Sequence, residues 1–380
     1  MDWKSKNIYP IRRLKKMNDF ICRVLSIQRH KNTSFLYISG LLDAKQLVVN
    51  NELLSMHDVG VMSIIKGKYS HTVNDKGNGV CQIISIDYVL PSAHNKTYHK
   101  NFTNKAVLLR RCKADILQQI ALYLEKEQFQ RINSPFTVPY RGTSIATPLS
   151  ISGKYVDMYC KITHEFFLKK EMAENLIPVF EIGYVARDVY STMSGHFEYS
   201  ILEFVSPLHN IKYIEDFIYK FIEIAINSAE KYQIPYRDLS NIKTIVLDEN
   251  ACFSGKTFDQ IKSENQNVLF VNAPTSSPLV KQANGKRTET IWFYNGDSIA
   301  HGYRDENDYN SLMMLSRLQM EALIQKGVKA EYSKDFLSLL RLGIPESISI
   351  GFGIDRFFQI FFCFDNINGY NDMMCHSGEY

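Results

Sequence analysis

The sequence predicts an α+β chain of two domains: a small N-terminal β-barrel, then a larger domain with an antiparallel sheet flanked by helices. Three observations predict it. Five short strand-like runs with one helical piece among them fill residues 18–92. A polar, turn-prone stretch, residues 93–104, reads as a linker. After it, strands and amphipathic helices mix without the regular alternation of a parallel βαβ sheet. With 380 residues, 45% of them apolar, the chain can bury two cores.

Residues 1–17 precede the barrel as a basic arm, with Lys4, Lys6, Arg12, Arg13, Lys15 and Lys16 against the single acid Asp2. Such an arm is either a solvated tail or a phosphate-contacting extension whose binding salt would weaken. Phe20–Ser26 is the first strand, followed by a turn at His30-Lys31-Asn32. Ser34–Ile38 and Gln46–Val49 come next, then a short helix around Glu52–Met56. Ser63–Tyr69 and Val80–Val89 complete the set, separated by the turn-rich Asn74–Gly79. Five strands with a small inserted helix suit an OB-fold, a barrel that binds single-stranded nucleic acid, although a purely structural barrel has the same strand count.

The second domain, residues 105–380, opens with a helix in which Leu109, Cys112, Ile116, Leu117, Ile120 and Leu124 recur at helical spacing. Phe217, Ile218, Phe221, Ile222, Ala225 and Ala229 mark another helix, and Leu312, Leu315, Leu318 and Leu323 a third. These stripes read as core.

Composition narrows the function classes. A formal charge of +4 is compatible with nucleic acid without demanding it. The seven cysteines are scattered singly, without zinc spacing, and an odd count argues against a disulfide framework. A reducing cytosol is therefore expected. No apolar stretch follows the basic N-terminus and no run approaches a membrane span, so the expectation is a soluble, cytoplasmic protein.

Several separated segments carry a family resemblance. Tyr123 through Pro135 has the form of a long helix leading into a strand and a proline. Phe180-Glu181-Ile182-Gly183, Arg187 and His196 through Phe204 resemble the pattern FEIGxxFRNE, loop, HxPEFTxxEFY. Tyr159 through Lys170 resembles YLRIAPELYLKRL, and Phe293 through Asp308 resembles FINGREIGNAFSELND. Gly343 through Arg356 resembles GMPPTGGLGIGIDR. Tyr123 through Pro135, Phe180 through Phe204 and Gly343 through Arg356 resemble the three signature motifs of class II aminoacyl-tRNA synthetases, in family order; the other two segments resemble the lysyl type, and the resemblance reaches into the barrel.

The resemblance implies ATP-dependent activation of an amino acid, lysine by default, followed by transfer to tRNA. Such an enzyme forms no covalent bond to substrate, so its work is orientation and charge stabilisation, for which arginine forks suit both phosphate and carboxylate. Arg187 would hold the α-phosphate and the amino-acid carboxylate. Arg356 would reach the γ-phosphate and form one side of an adenine sandwich, with Tyr199 on the other and His196 near the phosphates. Asp305 would hold Mg²⁺ on the phosphates. Glu165 would take the α-amino group, Asn307 would lie beside the carboxylate, and Glu203 would pair with the lysine ε-ammonium. In the barrel, Arg23, Phe35 and Gln46 match anticodon-reading positions, where an aromatic face stacks a base and polar groups read its edge; alone, a strand Phe is more often core. The first motif implies a homodimer.

Departures from the pattern are part of the reading. Val189 removes a glutamate expected at the adenine amino group, and Ser298 stands where the family has a second metal-binding glutamate. Ile348 and Ser349 replace a glycine pair, and Val205 replaces a tyrosine beside the ammonium. Fewer carboxylates predict weaker Mg²⁺ binding. A smaller or less charged amino acid, a non-tRNA acceptor, or a catalytically weak tRNA-binding paralogue are the alternatives these changes leave open.

Overall fold

The computed structural model describes residues 19–40, 46–57, 59–61, 63–73, 79–90, 104–139, 146–188, 196–248, 250–325, 341 and 343–365. The basic arm, the turn residues 74–78, linker residues 93–103 and Val189 lie outside the described residues. The chain divides into two compact units, residues 1–111 and 112–380.

In the first unit, strands β1 (Asp19–Arg29), β2 (Thr33–Gly40) and β3 (Gln46–Asn50) precede the helix α1 (Asn51–Met56). Strands β4 (Ile64–Val73) and β5 (Gly79–Leu90) follow. They close in the order β1-β2-β3-β5-β4, with β4 returning to β1, which is the OB arrangement. All pairs are antiparallel except β3 with β5. Period-two patterning decides what fills the barrel: Cys22, Val24, Leu36, Ile38, Leu47 and Val49 point inward and are buried. A bulge between Val24 and Ser26 re-aims β1. At Gly67 a Cβ would meet the Ser85 carbonyl oxygen at 2.0 Å, so only glycine permits that close strand approach. All five expected strands form, most running further than expected, because backbone pairing continues through polar residues such as His71.

The second unit begins within the long helix α2 (Asn104–Lys126), after which β6 (Gln130–Arg131) enters the main sheet. Strands β7 (Thr137–Val138), β8 (Ser150–Ser152) and β9 (Asp157–Cys160) form a small separate sheet leading to α3 (Glu165–Asn175). Next come β10 (Val179–Ala186), β11 (Glu198–Ser206) and α4 (Lys212–Tyr232). The middle of the unit holds β12 (Lys243–Val246), the ribbon β13 (Cys252–Phe253) and β14 (Lys256–Thr257), and α5 (Phe258–Glu264). It continues through β15 (Asn267–Pro274), β16 (Gln282–Ala283), β17 (Lys286–Tyr294), β18 (Asp297–Arg304) and α6 (Tyr309–Gln325). Strand β19 (Ile348–Gly353) runs directly into α7 (Ile354–Phe361).

The main sheet has the order β12-β15-β17-β18-β19-β11-β10-β6, antiparallel except at its two ends. The even-numbered residues of its central strands face one core: Phe204 meets Phe217 of α4 at 5.2 Å, and Phe352 stacks on Phe221 at 4.1 Å. Phe357 of α7 and Trp292 close the same cluster. Aromatic pairs at these spacings add stabilisation beyond their buried area. The odd-numbered residues, Glu181, Tyr199, Glu203, Ser349 and Gly351 among them, therefore face the other side.

One helix stripe differs from expectation. Leu312 of α6 is buried, but Leu318 is exposed. Steps of three residues fall about 60° short of a full turn, so two such steps rotate the side chain off the core face.

Candidate active site

The site is built on that odd-numbered face, between the central strands and the turn leading from β9 into α3. Helix α3 starts with Glu165, a carboxylate in the first turn, where the helix dipole favours it. One turn later Lys169 lies on the same side and reaches back, its Nζ 2.6 Å from Glu165 Oε1. The same ammonium is 3.0 Å from Asp305 Oδ1, and only 2% of the Lys169 side chain is exposed. Asp305 is fully engaged: Ser349 donates to both of its oxygens, at 2.8 and 2.9 Å, and Ser347 donates to Oδ2 at 2.6 Å. Tyr303 donates its hydroxyl to Glu165 Oε1 at 2.7 Å. Burial by itself would lower the Lys169 pKa, but Asp305 and Glu165 more than reverse this and hold the ammonium protonated above its ordinary range. Burial raises the Tyr303 phenol well above its usual value, with Glu165 and Asp305 adding to the effect, so it stays a donor.

Glu203 sits opposite Glu181 on one side and Gly351 on the other. Its carboxylate accepts from the Thr163 hydroxyl at 2.7 and 2.8 Å and from the His164 backbone N–H. Both donors are neutral. Burial, then repulsion from Glu165, pushes its pKa up to about 7, against the opposing hydrogen bonds and Arg187.

Beside these carboxylates lies a cationic and aromatic group. The Arg187 guanidinium lies 5.4 Å from the Tyr199 ring centroid, and Nε and Nη2 donate to the Ile162 carbonyl at 3.2 and 3.1 Å. Tyr199 feels both Arg187 and Arg356, whose charges oppose the burial that raises its phenol. Arg356, at the start of α7, donates through Nη1 to the Ser298 carbonyl.

The structure thus brings Glu165, Glu203 and Asp305 into one group and Arg187, Tyr199 and Arg356 into another. His196 lies in the turn before β11, with Nδ1 3.1 Å from the Glu198 carbonyl oxygen. Asn307 is half-buried in the segment between Asp305 and α6. In the barrel, Arg23, Phe35 and Gln46 are half-buried on the outer face of three adjacent strands, and Phe35 packs edge-on to His30 at 5.2 Å. Phe35 is therefore not among the buried barrel core.

Sequence reasoning passed over two features. One is Lys169, whose i,i+4 spacing from Glu165 was a readable signal. The other is a buried cluster in which Lys161 Nζ lies 2.7 Å from Glu181 Oε1 while Ser134 Oγ donates to Oε2 at 2.6 Å. His164 is wholly buried beside them, and burial lowers its pKa to about 4, so its ring is neutral. A Cβ on Gly183 would lie 3.2 Å from that ring, a tighter contact than a side chain usually makes.

The expected Mg²⁺ does not fit Asp305. Both carboxylate oxygens already receive donors, one of them an ammonium. The second family carboxylate is Ser298. Among the described residues no three His, Cys, Asp or Glu side chains converge to hold a metal.

Residues 93–370 match the family model for class II tRNA synthetases (D, K and N). The chain belongs to this family. Membership makes it a ligase of the aminoacyl-tRNA synthetase type, and it is lysyl-like in its relatives. It is 22% identical over 418 residues to the lysine–tRNA ligase of Wigglesworthia glossinidia brevipalpis, covering 89% of this chain and 84% of that one. To the lysine–tRNA ligase of Saccharolobus solfataricus it is 25% identical over 415 residues, with coverage of 88% and 82%. The asparaginyl-tRNA synthetase of Pyrococcus horikoshii, solved with asparaginyl-adenylate, shares its fold with a TM-score of 0.69. That likeness covers 93% of both chains at 16% identity. The family as a whole uses ATP, an amino acid and tRNA. Among the described residues no helix is long and apolar enough to cross a membrane.

Proposed function

We propose that this synthetase activates an amino acid with ATP and transfers it to tRNA, with lysine as the default substrate. The observation that carries the lysine reading is Glu203, a part-buried carboxylate whose hydrogen-bond donors are all neutral. A substrate ammonium would supply the missing charge, and without one the group prefers its proton. Glu165 retains a second oxygen, Oε2, to receive the substrate α-ammonium, while Oε1 is held by Lys169 and Tyr303. Asn307 would lie beside the substrate carboxylate.

In the reaction, a carboxylate oxygen of the amino acid attacks the α-phosphorus of ATP. The bond to the bridging oxygen breaks and pyrophosphate leaves. Arg187 would bind both approaching anions, which lowers their repulsion and aligns them. Tyr199 and Arg356 would hold the adenine between them, and His196 would approach the phosphates. In the second step a hydroxyl of the tRNA 3′-terminal ribose attacks the carbonyl carbon and AMP departs. The barrel face with Arg23, Phe35 and Gln46 would bind unpaired anticodon bases, giving tRNA selection. A homodimer in the cytoplasm completes the reading.

A second reading is favoured by one observation: neither family metal position offers an open carboxylate, as Asp305 is ion-paired and Ser298 has none. This suits a catalytically weak paralogue that binds tRNA. Amino-acid-dependent ATP–pyrophosphate exchange, scanned across the common amino acids, separates the two. Exchange with lysine, abolished by Arg356→Ala with tRNA binding intact, is the expected result. Silence across the panel from folded protein that still binds tRNA would favour the second reading.

A further inference from the structure

We propose that His301, held by Glu289, is the base that takes the proton of the acceptor hydroxyl in the transfer step. The residue is this chain's own, since the pattern FINGREIGNAFSELND has asparagine where His301 stands. Strand register puts it on the face of the site. His301 of β18 lies opposite Gly351 of β19, and Gly351 lies opposite Glu203 of β11. Opposed residues share a sheet face, so His301 and Glu203 look the same way from backbones about 10 Å apart, with no side chain on the strand between them. Two residues along β18, Tyr303 donates to Glu165, the carboxylate read as the α-ammonium partner. Three residues the other way, the Ser298 carbonyl accepts from Arg356, read as a nucleotide contact. His301 therefore stands between the amino-acid end and the nucleotide end, where the bond joining amino acid to AMP would lie.

The ring is arranged as a base. Its Nδ1 lies 3.2 Å from Glu289 Oε2 on β17. An ionised carboxylate only accepts, so Nδ1 carries the hydrogen and Nε2 of the neutral ring keeps its lone pair. Among the described residues Nε2 has no hydrogen-bond partner. The Glu289 side chain is 11% exposed and that of His301 44%, so the anchor is largely buried while the ring is open to a reactant. Activation needs no base, because a carboxylate is already the nucleophile. Transfer does, because the ribose O–H bond must break. Nε2 takes that proton, the oxygen bonds to the carbonyl carbon, and the bond to the AMP oxygen breaks with its electron pair leaving on AMP. The imidazolium then gives the proton to solvent. Glu289 is a positioning residue that fixes the tautomer and steadies the charge formed on the ring. The inference rests on the activation reading above.

The experiment is single-turnover transfer of lysine from the enzyme-bound adenylate to a lysine-accepting tRNA, measured beside pyrophosphate exchange with the full-length protein. His301→Asn can still donate to Glu289 but has no basic nitrogen. Its transfer rate should fall about 100-fold, within the usual worth of a general base, and its exchange rate far less. Glu289→Gln should slow transfer by a smaller factor. In His301→Ala, added imidazole should restore part of the transfer rate, which the loss of a structural contact would not allow. Transfer by His301→Asn at the wild-type rate overturns the inference and leaves the activation reading standing. So does an equal loss of both steps in His301→Asn with no recovery by imidazole in His301→Ala. Wild type without lysine-dependent exchange overturns the activation reading, and this inference with it.

Discussion

Replacing Glu203 by glutamine should stabilise this protein at alkaline pH while removing its lysine site. The Glu203 carboxyl titrates at about 7 in the folded chain, against an ordinary value of 4.5. A raised carboxyl pKa means that the native state holds its proton more tightly than the unfolded state. The associated stability is present in full below 4.5 and is lost as pH rises through 7. At about 1.4 kcal/mol per pH unit, the loss by pH 8 is about 3 kcal/mol. Glutamine has no charge to bury and still offers a carbonyl to Thr163 and His164, giving up about 1 kcal/mol of hydrogen bonding. Glu203→Gln should therefore be about 2 kcal/mol more stable at pH 8, a rise in Tm of roughly 4 °C for a unit of this size. At pH 5 the two proteins should melt together. The assay is thermal unfolding at both pH values, with and without lysine. Lysine should raise the wild-type Tm at pH 8, less at pH 6 where Glu203 is mostly protonated, and should leave Glu203→Gln unmoved. A variant that melts below wild type at pH 8 refutes the buried-charge argument. One that keeps the lysine shift refutes the assignment of the ammonium partner.

Two further changes test the scaffold and the barrel. Lys161→Met strands the buried Glu181 and should cost about 3–5 kcal/mol in urea unfolding, with much of it recovered in Lys161→Met/Glu181→Met. A double variant no more stable than the single would count against the pair. Phe35→Ala should weaken tRNA binding by about 1–3 kcal/mol without changing pyrophosphate exchange, as loss of a stacking face predicts. An equal effect from Phe35→Ala on barrel melting and on tRNA binding would return Phe35 to a structural role.

The sequence by itself determined the elements and the family. Alternation along Phe20–Val24 and Leu36–Ile38 is a local property, and it orients barrel side chains before any strand finds its partner. The same holds for Phe217 and Phe221 on α4, whose helical spacing alone marks the core face. Motif order placed Arg187, Tyr199 and Arg356 in one site; in the fold the Arg187 guanidinium lies 5.4 Å from the Tyr199 ring, and the charge of Arg356 also reaches that phenol.

The tertiary structure decided what each carboxylate does. Asp305 was legible as an acid in a metal position, and Ser349 as a departure from a glycine pair. Their hydrogen bond was not legible, because it depends on the register of β18 against β19. Lys169 was one helical turn from Glu165 in sequence, yet its second partner arrives from a segment far along the chain. Glu203 behaves likewise, since its titration is set by desolvation and by Glu165, against a threonine hydroxyl and a backbone N–H at the entrance to α3. Local patterning specifies which face a side chain takes. Which donors fill a buried oxygen depends on distances of a few ångströms between remote segments, and only packing sets those.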